Sequence, residues 1–209
     1  MAERNAAPPD ARSRLVAAAT AAFAERGYHA TTTRDIAAGA GMSPAAVYVH
    51  HSSKEELLFL ISRDGHDRAL EVLRTASGAG EEPITRLHDM VEAFTQWHAE
   101  HHTAARVVQY ELAALTTEHR REIAVRRREI DRQMRDVITA GVEGGVFDVP
   151  DIAGTTLALL SLAVDVARWY RDDGGRSAES IAELYADLAV RMVRTDAGST
   201  HPPPPVTVN

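Results

Sequence analysis

The stretch Thr31–Leu58, TTTRDIAAGAGMSPAAVYVHHSSKEELL, contains three helix starts in quick succession. Thr32 followed by Asp35, and Ser53 followed by Glu56, have the spacing of a capping box, in which each side chain bonds the other residue's backbone N–H. Ser43 before Pro44 combines a cap with a first-turn proline. The stretch therefore predicts two helices of about two turns with a tight turn between them at Gly41. A longer helix is predicted to follow.

Two short helices joined by such a turn are typical of a helix-turn-helix, whose second helix enters the DNA major groove. Helices this short are not stable alone, so neighbouring elements must hold them. A preceding helix with an apolar face, starting after Asp10 and ending at Gly27, is the expected support. Ala45 and Ala46 keep the second helix slim enough to approach base edges. Val47 is expected to face inward.

These residues resemble the DNA-binding domain of the TetR family of transcriptional regulators. The likeness covers residues 11–60 and rests on AAFAERGYHATTTRDIAAGAG, Ser-Pro, Val-Tyr and Ser-Lys-Glu-x-Leu. It implies that the protein binds double-stranded operator DNA. The operator contacts that it implies are Thr32, Thr33, Arg34, Ser43, Ala45, Ala46, Tyr48, His50 and Lys54.

One residue departs from the family pattern. His51 stands where the family commonly has Phe, and Ser52 replaces the Pro that follows. We expect His51 to pack as a neutral ring against the first helix, with a phosphate contact as the alternative.

The remainder of the chain is also predicted to be helical, because no alternating strand pattern bounded by hairpin turns is present. We expect an all-α protein of about nine helices. The five helices after the fourth are expected at residues 84–100, 103–116, 119–143, 152–172 and 178–194. The domain organisation is a disordered N-terminal arm (1–10), a helix-turn-helix domain (11–56), a ligand-binding and dimerisation domain (57–195) and a disordered Pro-rich tail (196–209).

The family resemblance implies a ligand cavity within the second domain and a homodimer formed by the last two helices. Apolar positions at helical spacing, and for the cavity also one acidic and one basic residue, suggest which residues serve each purpose. The candidate cavity residues are Phe94, Trp97, Tyr110, Glu111, Arg127, Met134 and Trp169. The candidate dimer residues are Leu157, Leu160, Val164, Ile181, Leu184 and Leu188.

The C-terminal half has a looser likeness to family members that sense acyl-CoA thioesters in lipid or sterol catabolism. Its motifs include EHHTAARVVQYE and VARWYRDDGGRSAESIAELYADL. The helix at 119–143 carries seven arginines, some of which are suited to binding the phosphates of CoA. The alternative is a solvated helix face with i,i+4 ion pairs such as Glu122 with Arg126.

Composition limits the remaining possibilities. A net charge of -7 means that any DNA contact must be local, and the absence of cysteine excludes thiolate chemistry. We expect a cytoplasmic protein without a membrane span, cofactor or catalytic site. Two alternatives stay open: a regulator of drug efflux that senses a cationic or aromatic compound through Glu111 and Asp165, and a helical metal-binding protein or enzyme that uses His98 and His102.

Overall fold

The computed structural model describes residues 10–78 and 82–194, and within these ranges it is helical, without a β-strand. This confirms the all-α prediction. The nine helices are α1 (Ala11–Arg26), α2 (Thr33–Gly39), α3 (Pro44–His50), α4 (Lys54–Ala76), α5 (Pro83–Glu100), α6 (His102–Tyr110), α7 (Thr117–Glu143), α8 (Ile152–Trp169) and α9 (Ala178–Val193).

The predicted arm and tail lie outside the described residues, apart from Asp10. The Asp10 carboxylate accepts a hydrogen bond from Ser13 N at 2.8 Å and caps α1. This end of the predicted arm is therefore part of the first helix.

Capping residues fix the helix starts of the first domain. Thr32 Oγ1 accepts from Asp35 N at 3.2 Å while Asp35 Oδ2 accepts from Thr32 N at 2.8 Å, which completes the predicted capping box. The second box is shifted by one residue, because Glu56 accepts from Ser52 N and not from Ser53 N. Gly41 has φ 65°, a conformation that glycine adopts without strain, and this allows the tight turn before α3.

Helices α1, α2 and α3 share a core with the start of α4 and with α6. Leu15, Ile36, Val47 and Leu57 are fully buried in this cluster. The long helix α4 begins in it and ends in the core of the second domain, where Leu73 is buried. The predicted boundary between residues 56 and 57 thus lies inside α4, which belongs to both domains.

The second domain consists of α5 to α9 packed around the C-terminal half of α4, with α5 lying along α9. Two predicted helix ends were wrong. Helix α6 stops at Tyr110 and is followed by a 3-10 turn at Leu112–Ala114, since Thr116 caps a new helix by accepting from His119 N at 3.2 Å. Helix α8 stops at Trp169, three residues before the predicted end at 172.

Candidate nucleic-acid interface and ligand cavity

The exposed side of α3 is the most accessible apolar surface of the first domain. Tyr48 and Val49 are 60% and 77% exposed, whereas Val47 between the two turns of α3 is buried as expected. The Tyr48 hydroxyl lies 3.3 Å from Thr33 Oγ1 at the start of α2. Because of this contact, α2 and α3 present their hydroxyl groups on one surface.

Polar groups surround this side of α3. Arg34 is exposed and has no carboxylate partner among residues 10–78 and 82–194, since the neighbouring Asp35 pairs with Arg26 at 3.6 Å. Ser43 begins α3 without using its hydroxyl as a cap. Thr32 and Ala45 are exposed, and Ala46 and His50 are half-buried. The nine predicted operator contacts therefore lie at the starts of α2 and α4 and around α3.

Lys54 has a structural contact as well. Its Nζ donates to the carbonyl oxygens of Tyr28 and Thr31 at 2.7 Å each and lies 4.1 Å from the centroid of the Tyr28 ring. An ammonium group has three donors, so one remains for a phosphate. His51 is only 2% exposed. This confirms the prediction that its ring packs inside the domain and does not contact phosphate.

A cavity of about 910 Å³ lies between α4, α5, α6, α7 and α8, and Val16 and Thr20 of α1 also line it. Four of the seven predicted ligand residues line it: Phe94, Trp97, Tyr110 and Arg127. The volume is in the range of pockets that hold drug-sized or larger molecules. The Phe94 and Trp97 side chains supply an apolar wall.

The other three predicted ligand residues lie elsewhere. Glu111 accepts a hydrogen bond from Tyr28 N at 3.0 Å, because the end of α6 at Tyr110 directs its side chain toward the first domain. Met134 faces the core and is 1% exposed. Trp169 ends α8 outside the cavity wall and is 40% exposed.

The charges of the cavity wall are not balanced. Its three carboxylates are paired with arginines at 2.7 to 2.9 Å: Asp64 with Arg68, Asp131 with Arg135, and Asp165 with Arg168. Three further arginines of the wall, Arg106, Arg127 and Arg128, have no ion pair or hydrogen bond within the described part of the chain. Sequence reasoning missed Arg106, because a single arginine on α6 carries no pattern.

Half of the predicted dimer residues are accessible. Leu157, Leu184 and Leu188 are 65%, 38% and 41% exposed, respectively. Leu157 also lines the cavity, as do Leu160 and Val164, and Ile181 is buried within the protomer at 2% exposure. Helical spacing marked both sides of α8 as apolar but did not show which side faces the cavity.

Comparison with known proteins identifies both domains. Residues 15–61 match the family model described as bacterial regulatory proteins, tetR family, and residues 80–193 match the tetracyclin repressor-like C-terminal domain. The chain belongs to the TetR family. It is therefore a DNA-binding transcriptional regulator and not an enzyme, as predicted.

Several TetR-family relatives match over most of their length. The HTH-type transcriptional repressor KstR2 of Mycobacterium tuberculosis is 32% identical over 182 residues, which are 86% of this chain and 90% of the relative. A solved tetR-family regulatory protein from Rhodococcus RHA1 is 42% identical with a TM-score of 0.85, covering 90% of this chain and 98% of that one. The solved ketosteroid transcriptional regulator KstR2 is 28% identical with a TM-score of 0.83, covering 91% and 98%.

The histidines of the alternative metal site do not converge in this TetR-family chain. His98 lies in the last turn of α5 and His102 starts α6, so the helix break at His101 removes the helical i,i+4 relation. Their Nδ1 atoms lie 2.8 Å from Phe94 O and 2.9 Å from Ala99 O. Within the described residues, the one group placed to share an ion is His88, Asp89 and Glu92 on α5.

Proposed function

We propose that this regulator is a cytoplasmic homodimeric repressor that leaves a near-palindromic operator when an acyl-CoA-type effector fills the cavity. The family membership supports DNA binding, and relatives named as repressors support repression. The similarity to a solved ketosteroid transcriptional regulator supports target genes in lipid or steroid catabolism.

The charge of the cavity wall is the observation that carries the proposal. Three arginines without a counter-charge face one cavity, and Arg106 Nε is buried without a hydrogen-bond partner. A buried donor that loses water without a partner is unfavourable, so an anionic ligand group is expected there. The phosphates of CoA provide such groups, and the apolar wall suits an acyl or ring portion.

The same charges argue against a cationic drug as effector. The anionic residues of that alternative were Glu111 and Asp165. Glu111 is bonded to Tyr28 N outside the cavity, and both oxygens of Asp165 accept from Arg168 at 2.7 and 2.8 Å. A cation entering the cavity would meet unbalanced positive charge.

The exposed apolar surface of α8 and α9 supports the dimer. Helix α8 is apolar enough to resemble a membrane span, with a mean hydropathy of 1.3, but only 28% of its residues are buried within the protomer. The ion pair of Asp165 with Arg168 lies on the same helix, which suits a protein interface better than lipid. A second copy covering Leu157, Leu184 and Leu188 buries this surface.

Ligand control follows if the two dimer conformations differ in the separation of their α3 helices. An effector that binds the conformation with the wrong separation shifts the population away from the operator-binding state. Because α4 is shared by both domains and lines the cavity through Ile61, Gly65 and Ala69, it is the element expected to transmit the change.

The test is fluorescence anisotropy of the protein on its own upstream intergenic DNA at fixed salt, titrated with dodecanoyl-CoA and, separately, dodecanoic acid. We expect release by the thioester only. The double variant Arg106→Gln/Arg127→Gln should bind DNA normally but respond at least tenfold more weakly. Arg132→Gln, which removes a paired arginine of α7 outside the cavity, is the matched control. A complex that forms but ignores acyl-CoA refutes the effector class and leaves the DNA-binding function intact.

A further inference from the structure

Two histidines of the cavity wall that are not exposed share a hydrogen-bond arrangement. His66 on α4 and His98 on α5 both line the cavity, and each places Nδ1 against the carbonyl oxygen four residues earlier. The distances are 2.7 Å from His66 Nδ1 to Ser62 O and 2.8 Å from His98 Nδ1 to Phe94 O. A carbonyl oxygen only accepts, so Nδ1 carries the hydrogen in both rings.

This arrangement fixes the chemistry of the other ring nitrogen. When a neutral imidazole carries its hydrogen on Nδ1, Nε2 is a lone-pair acceptor. Neither Nε2 atom has a hydrogen-bond partner among residues 10–78 and 82–194. His98 is only 6% exposed, but its unpaired Nε2 atom is not fully enclosed by protein. The accessible part of His98 therefore includes the acceptor atom.

The two rings are also held in place and kept neutral. His98 lies edge-on to Phe94 and Trp97, with ring centroids 4.4 and 4.9 Å away, so its orientation is set by core packing. Burial lowers the pKa of His98 to about 4, and burial likewise lowers the pKa of His66, helped by the nearby Arg127 and Arg126 guanidinium groups. At neutral pH both rings present acceptors and not donors.

We propose that His98, assisted by His66, selects effectors that carry a hydroxyl group on their apolar portion. A ligand hydroxyl donates its hydrogen to His98 Nε2. The corresponding ketone has only lone pairs at that position and leaves the acceptor unpaired, which a site built for a donor rejects strongly. The regulator thereby distinguishes an alcohol from its oxidised form. This inference deepens the proposed effector function and rests on the same cavity, but it does not depend on the CoA group.

The test uses a small matched pair, cyclooctanol and cyclooctanone, because a compact ring can reorient until its polar group reaches His98. The protein is labelled with ¹⁵N at histidine, and the imidazole nitrogens are followed by NMR at pH 7 during each titration. We expect the Nε2 resonance of His98 to move upfield with the alcohol and to respond at least tenfold more weakly to the ketone. An equal response to both compounds, or none to the alcohol, overturns the proposal.

Variants separate recognition from folding. His98→Phe keeps a flat ring between Phe94 and Trp97 and should bind the two compounds equally, as followed by the neighbouring Trp97 indole resonance. His101→Phe is the matched control, since His101 also places Nδ1 on the carbonyl four residues earlier, at 3.0 Å, but is exposed at the cavity rim. A preference for the alcohol that persists in His98→Phe contradicts the assignment.

The outcome is distinguishable from the failure of the proposed function. If dodecanoyl-CoA does not release the operator while cyclooctanol still shifts His98, the CoA-type effector is wrong and the hydroxyl acceptor stands. If dodecanoyl-CoA releases the operator while His98 does not discriminate alcohol from ketone, the effector class stands and this inference fails.

Discussion

His51 shows how one residue can depart from a family pattern at a cost in stability. Its ring is 2% exposed, both ring nitrogens are buried without a hydrogen-bond partner, and Glu56 Oε1 is 3.9 Å from Nδ1. Burial lowers the pKa of His51, and the nearby Glu56 carboxylate offsets this only in part. The site holds a neutral polar ring in a place that suits an apolar one.

We therefore predict that His51→Phe stabilises the protein. Removing two unpaired polar atoms from a buried position should raise the free energy of unfolding by about 1 to 2 kcal/mol. Urea denaturation at pH 7.5 measures the change. His50→Phe, at the half-buried neighbouring position, is the control and should be close to neutral. A loss of stability in His51→Phe would mean that the ring has a partner in solution.

His98 makes the stability of the protein depend on pH. Its pKa of about 4 in the folded state lies below the ordinary value of 6.5, so the unfolded chain binds the proton first as pH falls. Stability is complete above pH 6.5 and declines toward pH 4. Between pH 7.5 and pH 5, wild type should lose about 2 kcal/mol more than His98→Phe. Urea denaturation at both pH values checks this, and His101→Phe should behave like wild type.

Residue types alone did not separate cavity residues from core residues. Met134 and Phe94 are both large and apolar on amphipathic helices, yet only Phe94 reaches the cavity. The difference depends on how the helices are rotated against one another, which the spacing along one helix does not contain. Glu111 was misplaced for a related reason, since its direction depends on where α6 ends.

Helix starts, in contrast, were predictable because they depend on a few adjacent residues. Asp10, Thr32, Ser53, Asp151 and Ser177 all cap the helices that follow them. The polar junction between α6 and α7 was not predictable, because Thr116 there is fixed by Glu55, 61 residues earlier in the chain.

Helices α2 and α3 present the residues from which the DNA contacts are expected, and Arg34 gives a quantitative test. Each phosphate neutralised in B-DNA contributes about 0.9 to the slope of log K against log salt concentration. Arg34→Gln in a symmetric dimer should therefore reduce that slope by about 2, measured by anisotropy on the operator. Arg132→Gln, outside the DNA surface, should leave the slope unchanged. An unaltered slope in Arg34→Gln would place Arg34 away from phosphate.

Helices α4 and α7 are joined by a contact suited to transmitting the effector signal. His119 Nδ1 lies 2.8 and 3.0 Å from the two carboxylate oxygens of Glu55, and its ring stacks on Phe59 at 3.8 Å. Arg127 follows His119 by eight residues, about 12 Å along the same helix. We therefore expect a movement of α7 at the cavity to reach the first turn of α4.

His119→Phe keeps the stacking on Phe59 but removes the hydrogen bonds to Glu55. We predict that it leaves operator affinity within twofold of wild type while reducing the effect of dodecanoyl-CoA on that affinity at least fivefold, within the range of typical allosteric coupling. Anisotropy titrations with and without the thioester measure both quantities. His88→Phe, which changes a histidine of α5 away from this junction, is the control. Full coupling in His119→Phe would locate the signal path elsewhere.

At the scale of the whole molecule, the proposed operator binding requires two copies that hold their α3 helices at a fixed separation. The protein has a net charge of -7, so general attraction to DNA is weak, and a single two-turn helix has few contacts to offer. Pairing two DNA-binding domains in one particle raises the effective concentration of the second domain. We therefore expect the exposed apolar residues of α8 and α9 to be as important for DNA binding as the recognition helix.

This argument gives a final prediction for the variant Leu188→Asp. Leu188 is 41% exposed on α9, and a carboxylate there should be tolerated in the monomer but not inside a dimer interface. We expect sedimentation analysis to show a folded monomer whose operator affinity falls at least a hundredfold. Val125→Asp, at a 56% exposed position of α7 outside that surface, should remain dimeric and bind normally. Because the DNA-binding residues are unchanged in both variants, a monomer that kept full operator affinity would show that one α3 helix suffices and that the two-fold arrangement is not what confers binding.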